Sequence, residues 1–311
     1  MPSSSSPSIA PRADLLVLLL AFLALTATPP AAAKHSDATH RAEIEKWRAG
    51  RIERLTAPNG WLTVVGLFWL EPGENGVGSG LGSRIVLPAG KAPATFGTIR
   101  LADGKARLDV APGVDVSHEG KRVESLPLQS DEEGDPTLVR HTTLSFHLIK
   151  RGDRLGVRVR DSASDARRDF REIPAYPVRS AWRVMGRLDP YPPGKTIAVP
   201  NILGTVSNDP SPGAVVFKVG GKTYRIDAVE EEGSDELFLI FGDSTNGFET
   251  YGAGRFLYVP RPGPDGKMVV DFNKAYNPPC AFTAYATCPL PPPQNRLALR
   301  VEAGEKEYGD H

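Results

Sequence analysis

The sequence predicts a mainly β protein in which an N-terminal helix precedes two antiparallel β domains, a sandwich followed by a sandwich or barrel. Three observations support this fold class. The 31 glycines and 29 prolines together make about 19% of the 311 residues, whereas average usage gives the two together roughly 12%. Short apolar runs recur between glycine, proline, asparagine and aspartate, which is typical of strands joined by turns. One segment alone has its apolar residues at clear helical spacing.

The first 33 residues have the pattern of a secretory signal peptide. Arg12 precedes an apolar run from Leu15 to Leu25, and small residues follow up to Ala33. The run has about 11 residues, whereas an anchored helix needs about 20. We therefore expect cleavage near Ala33, a secreted or periplasmic protein and no stable membrane anchor. An uncleaved anchor is the alternative.

Residues 34–60 are predicted to contain one amphipathic helix, over Asp37–Leu55. The apolar residues at helical spacing are Ile44, Trp47, Ile52 and Leu55. Pro58 and the Asn59-Gly60 pair are expected to end the helix.

Residues 61–165 are predicted to form the first β domain, a sandwich, because seven short runs follow one another between turn-forming residues. These runs are Trp61–Leu70, Ser83–Leu87, Gly97–Leu101, Ala106–Val110, Val114–His118, Thr143–Lys150 and Leu155–Arg160. In the sixth run Leu144, Phe146 and Leu148 alternate with polar residues. One face of that strand is thus predicted to pack in the core and the other to face solvent.

Residues 166–193 are predicted to be a linker, because they are irregular and rich in proline. Residues 194–311 are predicted to be the second β domain, which ends in a proline-rich loop with two cysteines. Its predicted strands are Lys195–Val199, Gly204–Ser207, Ala214–Val219, Lys222–Val229, Leu237–Phe241, Glu249–Val259, Lys267–Phe272 and Arg296–Glu302.

The charge balance and the missing motifs argue against several classes of function. Lysine plus arginine, 37 residues, balances aspartate plus glutamate, also 37, so no bulk positive charge favours nucleic acid as a partner. Ser244 has Gly242 before it but Asn246 after it, so the nucleophile elbow of an α/β-hydrolase is missing.

The sequence also predicts no cofactor and no metal. The glycines of Gly252–Gly254 lead into a strand pattern and not into a helix, so they offer no dinucleotide site. His141 and His147 share one strand face but lie about 20 Å apart, too far to share one ion. We interpret both histidines as solvent-facing.

The two cysteines, Cys280 and Cys288, enclose a short loop in the densest patterned stretch, DFNKAYNPPCAFTAYATCPLPPPQNRL. In an exported protein a disulfide is the default expectation. Two buried free thiols and a reactive cysteine are the alternatives. The prolines around the pair argue against a regular central strand here.

The same stretch and the FGDSTNGFETYGAGRF segment before it supply most of the polar residues that could bind a ligand. The candidates are Asp243, Tyr251, Arg255, Asp271, Asn273, Tyr276, Asn277 and Glu302. An arginine fork suits a carboxylate or a pair of sugar hydroxyls, while tyrosine and asparagine groups would fix orientation. The alternatives are that Asn246-Gly247 is only a hairpin turn and that Arg255 makes a salt bridge to Asp271 or Glu302 that only holds the fold.

Four segments are similar to the domain-of-unknown-function family 1684, and together they span nearly the whole chain after the signal peptide. They are GWLTVVGLFWLEPGENGVGS, FGDSTNGFETYGAGRFLYVP, DFNKAYNPPCAFTAYATCPLPP and the closing EAGEK. The resemblance implies the family's β-rich fold and a lack of assigned activity, and it brings no catalytic residues.

The first β domain also resembles a forkhead-associated β sandwich, in the order of its runs from LEPGENGVGSGLGSRIVLP to LSFHLIKRGDRLGVRVRD. That family reads phosphothreonine through a Gly-Arg, a Ser-x-x-His and an Asn-Gly. Here Gly78-Ser79 stands at the first position, His118-Glu119-Gly120 at the last, and no Ser-x-x-His exists. The resemblance therefore concerns shape, and these departures argue against phosphopeptide binding.

Three hypotheses of function follow from these residues. The first is a binding protein whose C-terminal domain holds a small polar ligand, a sugar or a carboxylate, near Arg255 and Asp271. The second is a hydrolase that uses Asp243, Asp271 or Glu302 as acid and base, which needs a carboxylate pair about 5–9 Å apart. The third is a structural or partner-binding protein in which the polar cluster is an internal staple.

Overall fold

The computed structural model describes residues 37–309 of the chain. The predicted signal peptide, residues 1–33, lies outside the described residues, so export stays a prediction. From Asp37 onward the described residues form one compact unit. None of the described helices has the length and the apolar composition that crossing a bilayer requires.

The N-terminal helix, α1, spans Asp37–Thr56 and confirms the predicted helix. Its buried residues are His40, Ile44, Arg51 and Leu55, which share one helical face. Two of these four are polar, so α1 docks by hydrogen bonds as well as by apolar contact. Gly60 ends the turn after the helix, because a Cβ there would come within 2.2 Å of the carbonyl oxygen of Leu55.

Residues 64–161 fold into two largely antiparallel sheets, as the predicted sandwich requires. The strands are β1 (Val64–Trp69), β2 (Gly73–Gly78), β3 (Ile85–Val86), β4 (Gly97–Ala102), β5 (Lys105–Val110), β6 (Ser117–His118), β7 (Lys121–Arg122), β8 (Ser125–Leu128), β9 (Val139–His141), β10 (Leu144–Arg151) and β11 (Arg154–Asp161). One sheet has the order β1-β11-β10-β9-β6-β7 and the other β3-β2-β4-β5-β8. Leu144, Phe146 and Leu148 of β10 enter the core between the sheets, as their alternation predicts.

The C-terminal part of the chain contains the remaining strands in three smaller sheets. They are β12 (Arg183–Pro190), β13 (Thr196–Pro200), β14 (Val206–Pro210), β15 (Gly213–Val219), β16 (Lys222–Asp227), β17 (Val229–Glu230), β18 (Glu236–Phe241), β19 (Arg255–Pro260) and β20 (Lys267–Asp271). The sheet orders are β16-β15-β12-β20, β13-β14 and β17-β18-β19. Among the described residues these sheets do not close into a barrel, so the barrel alternative is not found.

The described chain departs from the sequence interpretation in two stretches. The predicted linker, residues 166–193, contains the helix α2 (Asp165–Arg168) and β12, which lies between β15 and β20. Proline suggested a linker there, but the prolines of Pro190–Pro193 fall at the end of the strand and after it, where no ladder hydrogen bond is needed. The predicted strand Arg296–Glu302 pairs only through one bridge at Arg296 and otherwise runs irregularly.

The segment after β20 turns through three short 3-10 helices, at Phe272–Lys274, Pro279–Ala281 and Pro293–Asn295. Phe272 is fully buried, with its ring centroid 5.2 Å from that of Phe217 and 5.7 Å from that of Phe241. This apolar anchor fixes the two polar residues beside it, Asp271 and Asn273, against the end of the sheet.

Candidate functional site

Arg255, the first residue of β19, lies at the centre of a closed polar network. Its side chain and that of Asp243 are 0% exposed, and its Nη2 donates to Oδ2 of Asp243 at 2.7 Å and to the Val301 carbonyl at 2.8 Å. Its Nη1 donates to the carbonyls of Ala303 and Glu305 at 2.5 and 3.1 Å. The guanidinium therefore binds the irregular C-terminal segment to the sheet and has no face toward solvent.

Asp271 forms a second closed group, which joins helix α1 to the end of β20. Nε2 of His40 lies 2.6 Å from Oδ2 of Asp271, and both residues are buried. The other carboxylate oxygen accepts hydrogen bonds from the backbone N–H and the side-chain amide of Asn273, at 3.1 and 2.8 Å. Asn273 in turn exchanges hydrogen bonds with the backbone of Arg179.

Asn277 belongs to a third group that also contacts α1. The Arg51 side chain donates to Oε1 of Glu305 at 3.1 Å and to the carbonyl of Asn277 at 2.8 Å. The backbone N–H of Asn277 donates to Oε2 of Glu305 at 2.7 Å. Each of these three groups is an internal contact of the kind that the staple hypothesis expects.

The remaining candidates lie apart from these groups. Tyr251 packs beside the apolar cluster that includes Leu55 and Phe282, and burial raises the pKa of its phenol to about 12. Glu302 lies at the surface, where its carboxylate is 3.3 Å from Arg300. The eight predicted residues thus do not converge on one site, and Asp243, Asp271 and Glu302 do not share a cleft.

Tyr276 alone among the eight lines a cleft of about 670 Å³ between α1 and the β18–β19 pair. The size falls within the range of small-molecule sites, about 300–1,000 Å³. Six aromatic side chains line it: Trp47, Trp61, Phe238, Phe256, Tyr258 and Tyr276. We call this the aromatic cleft.

Five of the six rings of the aromatic cleft form a connected wall, while Trp61 lies against Arg158 and Arg160. Tyr276 meets Trp47 at 6.2 Å between centroids, Phe256 at 5.8 Å and Tyr258 at 6.3 Å, the last with only 12° between the ring planes. Tyr258 stacks on Phe238 at 4.8 Å. Burial raises the pKa of both tyrosines, so both phenols are neutral hydrogen-bonding groups at neutral pH. The wall can therefore stack against a ligand ring, and the hydroxyl available to the ligand is that of Tyr276, because Tyr258 already donates to Oε2 of Glu231 at 2.9 Å.

Charged groups around the cleft are mainly positive. Arg51, Arg54 and Lys274 line it, whereas Glu236 is the single lining carboxylate among the described residues. Arg51 is paired with Glu305 and stacks over the Tyr276 ring at 4.8 Å. Neither Arg54 nor Lys274 forms an ion pair with another residue between 37 and 309.

The sequence interpretation named only Tyr276 from this cleft. Trp47 and Trp61 belong to the N-terminal segments, whereas Tyr258 comes about two hundred positions later, and no local motif connects them. One signal was available: the chain has only four tryptophans, and two of them lie within one short stretch around the end of the first helix.

Cys280 and Cys288 are free thiols in this structure, so the predicted disulfide is not present in it. They are nevertheless adjacent, because the backbone N–H of Cys280 donates to Sγ of Cys288 at 3.2 Å. The face of β10 that was predicted to face solvent is instead covered. His147 is 9% exposed, and Arg151 and Arg158 on the same face contact Thr287 of the cysteine loop. Within residues 37–309 no group of three or more potential ligands could hold a metal ion.

Comparisons with solved structures give weak likenesses. An uncharacterized protein of Haloarcula marismortui, solved by NMR, is 28% identical over 45% of this chain and 78% of its own, with a TM-score of 0.38. The FhaA FHA domain, crystallised with the intracellular domain of Rv3910, is 18% identical over 30% of this chain and 97% of its own, with a TM-score of 0.22. An FHA domain studied for phosphothreonine-dependent interactions is 19% identical over 32% of this chain and 96% of its own, with a TM-score of 0.22.

No curated protein matches the chain. A family model does match it, over residues 168–306, which include β12 to β20, the polar network of Arg255 and the cysteine pair. The first of the four similar segments, Gly60–Ser79, lies before the matched region. Over residues 168–306 the chain is thus similar to the family described as a protein of unknown function, DUF1684, the family that its sequence resembles.

Proposed function

We propose that the protein binds a small carboxylate-bearing ligand with a ring that can stack on aromatic side chains, such as a sugar acid or an aromatic acid, in the aromatic cleft. The observation that carries the proposal is the combination of six aromatic rings with two unpaired cations around one cavity of about 670 Å³. The site thus differs from the predicted cluster near Arg255, while the class of ligand, a sugar or carboxylate, stays the same.

The rings supply the apolar part of recognition. Trp47 and Tyr276 lie on opposite elements, helix α1 and the segment after β20, with their centroids 6.2 Å apart and their planes tilted by 56°. Stacking on such faces suits a ligand ring and costs little conformational entropy, because aromatic side chains have few rotatable bonds. The neutral hydroxyl of Tyr276 can then orient the ligand.

The cations supply the charge selectivity. A bound carboxylate at Arg54 and Lys274 would meet two positive groups without a competing acid partner, since both lack an ion pair with the described residues. Such charge-assisted hydrogen bonds are about twice as strong as neutral ones. The ligand's neutral analogue should therefore bind more weakly.

Thermal unfolding of the full chain tests this proposal. The probes are galacturonate and phenylacetate, each compared with its neutral counterpart, galactose and phenylacetamide. We expect the acids to raise the melting temperature more than the neutral compounds, because a ligand that binds only the folded state adds about 2.7 kcal/mol at a hundredfold excess over its dissociation constant.

The double variant Arg54→Gln/Lys274→Gln should lose the difference between acid and neutral probe and keep the fold. Its matched control is Arg122→Gln, an exposed arginine on β7, which should respond as the wild type does. Equal shifts for acids and neutral compounds in the wild type, or a double variant that still prefers acids, would overturn the proposal.

We further propose that the protein acts outside the cytoplasm, because residues 1–33 have the pattern of a signal peptide. N-terminal sequencing of the protein recovered from a cell fractionation is the test. A mature chain that begins near Lys34 in the exported fraction supports export, and an intact Met1 in the cytosol contradicts it.

A further inference from the structure

Cys280 and Cys288 lie side by side at the two ends of a short loop next to the aromatic cleft. The backbone N–H of Cys280 donates to Sγ of Cys288 at 3.2 Å. Cys280 is partly exposed, whereas Cys288 is 5% exposed. One thiol is thus open to solvent while its neighbour is held behind it.

Arg158, on β11, is a buried cation beside this pair. It is 4% exposed, and its Nε has no hydrogen-bond partner among the described residues. Its Nη2 reaches only Oγ1 of Thr287, at 3.5 Å, and Thr287 directly precedes Cys288. The guanidinium is therefore buried, under-bonded and placed where its charge acts on the two sulfurs.

The charged groups near Arg158 do not neutralise it. Arg151 and Arg160 are like charges, and the acid in this group, Asp131, is paired with Arg151 at 2.9 Å. His147 faces Arg158 across the strands, but burial and the nearby arginines lower its pKa to about 4, so it is neutral at pH 7. An unpaired buried cation is costly, and an anion beside it would relieve that cost.

We propose that Cys280 and Cys288 form a reversible dithiol–disulfide site, in which Cys280 is the attacking thiolate, Cys288 the resolving thiol and Arg158 the positioning cation. The hydrogen bond from Cys288 and the charge of Arg158 lower the pKa of Cys280, the former more strongly. The Cys280 sulfur and burial raise the pKa of Cys288. The exposure of the two residues assigns the roles: Cys280 is partly exposed, so its thiolate can be reached by an external disulfide, whereas Cys288 is buried beside it.

The oxidant is a low-molecular-weight disulfide of the glutathione type. The Cys280 thiolate attacks one of its sulfurs, the bond between the two sulfurs breaks, and one thiol leaves with a proton from solvent. Cys288 then loses its proton to solvent and attacks the sulfur of Cys280, which releases the second thiol. Two protein thiols are oxidised to one disulfide, and one small disulfide is reduced to two thiols.

The site is tested by equilibrating the full chain in glutathione buffers of increasing oxidising ratio, then quenching with acid and labelling the thiols in the unfolded state, where both sulfurs are accessible. We expect two maleimide labels per chain in reduced glutathione and none in oxidised glutathione, with full recovery on reversal. In Cys288→Ser a glutathione adduct should accumulate on Cys280, and in Cys280→Ser the adduct should form at least tenfold more slowly. Two labels at every ratio, a disulfide that reduced glutathione does not open, or equal adduct rates in the two variants would overturn the proposal.

The role of Arg158 is tested in the Cys288→Ser background by the rate at which Cys280 is alkylated as a function of pH. Arg158→Gln should slow the reaction at pH 7 about tenfold by raising the thiol pKa by about one unit, and Arg158→Lys should restore most of the rate. Arg154→Gln, an exposed arginine on the same strand, is the matched control and should leave the rate unchanged.

An unchanged pH profile in Arg158→Gln would remove Arg158 from the site. If that variant does not fold, the profile of Arg158→Lys and the comparison of the two cysteine variants still decide the proposal. The redox site does not depend on ligand binding in the aromatic cleft, so either proposal can fail alone.

Discussion

Two regions of the molecule combine arginine with aromatic or acidic side chains, and they use arginine in opposite ways. Around Arg255 every neighbouring polar group is turned inward, and the guanidinium is held by Asp243 and three carbonyl oxygens with no exposed surface. Around the aromatic cleft Arg54 is exposed and unpaired with the described residues. The residue type is the same, but at Arg255 both Nη atoms are bonded and only the buried Nε lacks a partner, whereas Arg54 is exposed to a ligand from solvent.

The difference teaches that a dense polar motif is weak support for a binding site. Polar residues that fold into a core must satisfy each other, because an unsatisfied buried group is costly. They therefore cluster in sequence and in space as functional residues do. The Arg255 network and the aromatic cleft are separated by asking which polar groups lack partners and can also be reached from solvent, since Nε of Arg255 lacks a partner but is buried.

Breaking the Arg255 network should give the largest effect on stability. In Arg255→Ala the Asp243 carboxylate stays buried without its cation, which costs about 3–5 kcal/mol of unfolding free energy. Urea unfolding followed by circular dichroism measures this loss. Any folded fraction should still show the ligand response of the cleft.

The control for that variant is Arg300→Ala. Arg300 also pairs with carboxylates, those of Glu249 and Glu302, but at the surface. Its removal should cost far less, because solvent and salt screen exposed pairs. Equal losses in the two variants would contradict the distinction between the two regions.

A second buried group, His147, should make stability depend on pH. Burial and the charges of Arg160 and Arg158 lower its pKa from 6.5 to about 4. Below pH 6.5 His147 is therefore protonated in the unfolded chain, whereas in the folded chain it becomes protonated only near pH 4. The contribution of His147 to the unfolding free energy is complete above pH 6.5, and it decreases by about 2 kcal/mol between pH 7 and pH 5.

Urea unfolding at those two pH values should show a smaller decrease in His147→Phe than in the wild type. His141→Phe, a partly exposed histidine one strand away, corrects for the groups that both proteins share. A decrease that is the same in all three proteins would mean that His147 is not held neutral.

The sequence predicted the secondary-structure elements of this molecule better than it predicted which residues contact one another in the folded chain. Local pattern was enough for helix α1, for the alternation of β10 and for the fold class. It failed for β12, since the prolines that border the strand were taken as a sign of irregular chain. It also failed for His147, whose face is covered by a loop more than a hundred positions away.

The candidate site shows the same limit. Tyr276 was found because it lies inside a dense motif, whereas Trp47 and Trp61 reach the cleft only through the docking of α1. That docking depends on His40 with Asp271 and on Arg51 with Glu305, pairs separated by more than two hundred positions. No periodicity in the sequence encodes such a pairing, so the cleft becomes visible only in the folded chain.

Trp47→Ala should change ligand binding more than it changes stability. Trp47 is half-buried, so its removal should cost less than the roughly 3–5 kcal/mol of a buried tryptophan. It should nevertheless abolish the melting-temperature shift given by galacturonate or phenylacetate, because the ring forms the α1 side of the cleft. The matched control is Trp69→Ala, another half-buried tryptophan, which lies under Arg154 at 4.1 Å and outside the cleft. If Trp69→Ala loses the shift as fully as Trp47→Ala does, the effect comes from general loosening of the fold, and the aromatic cleft is not the binding site.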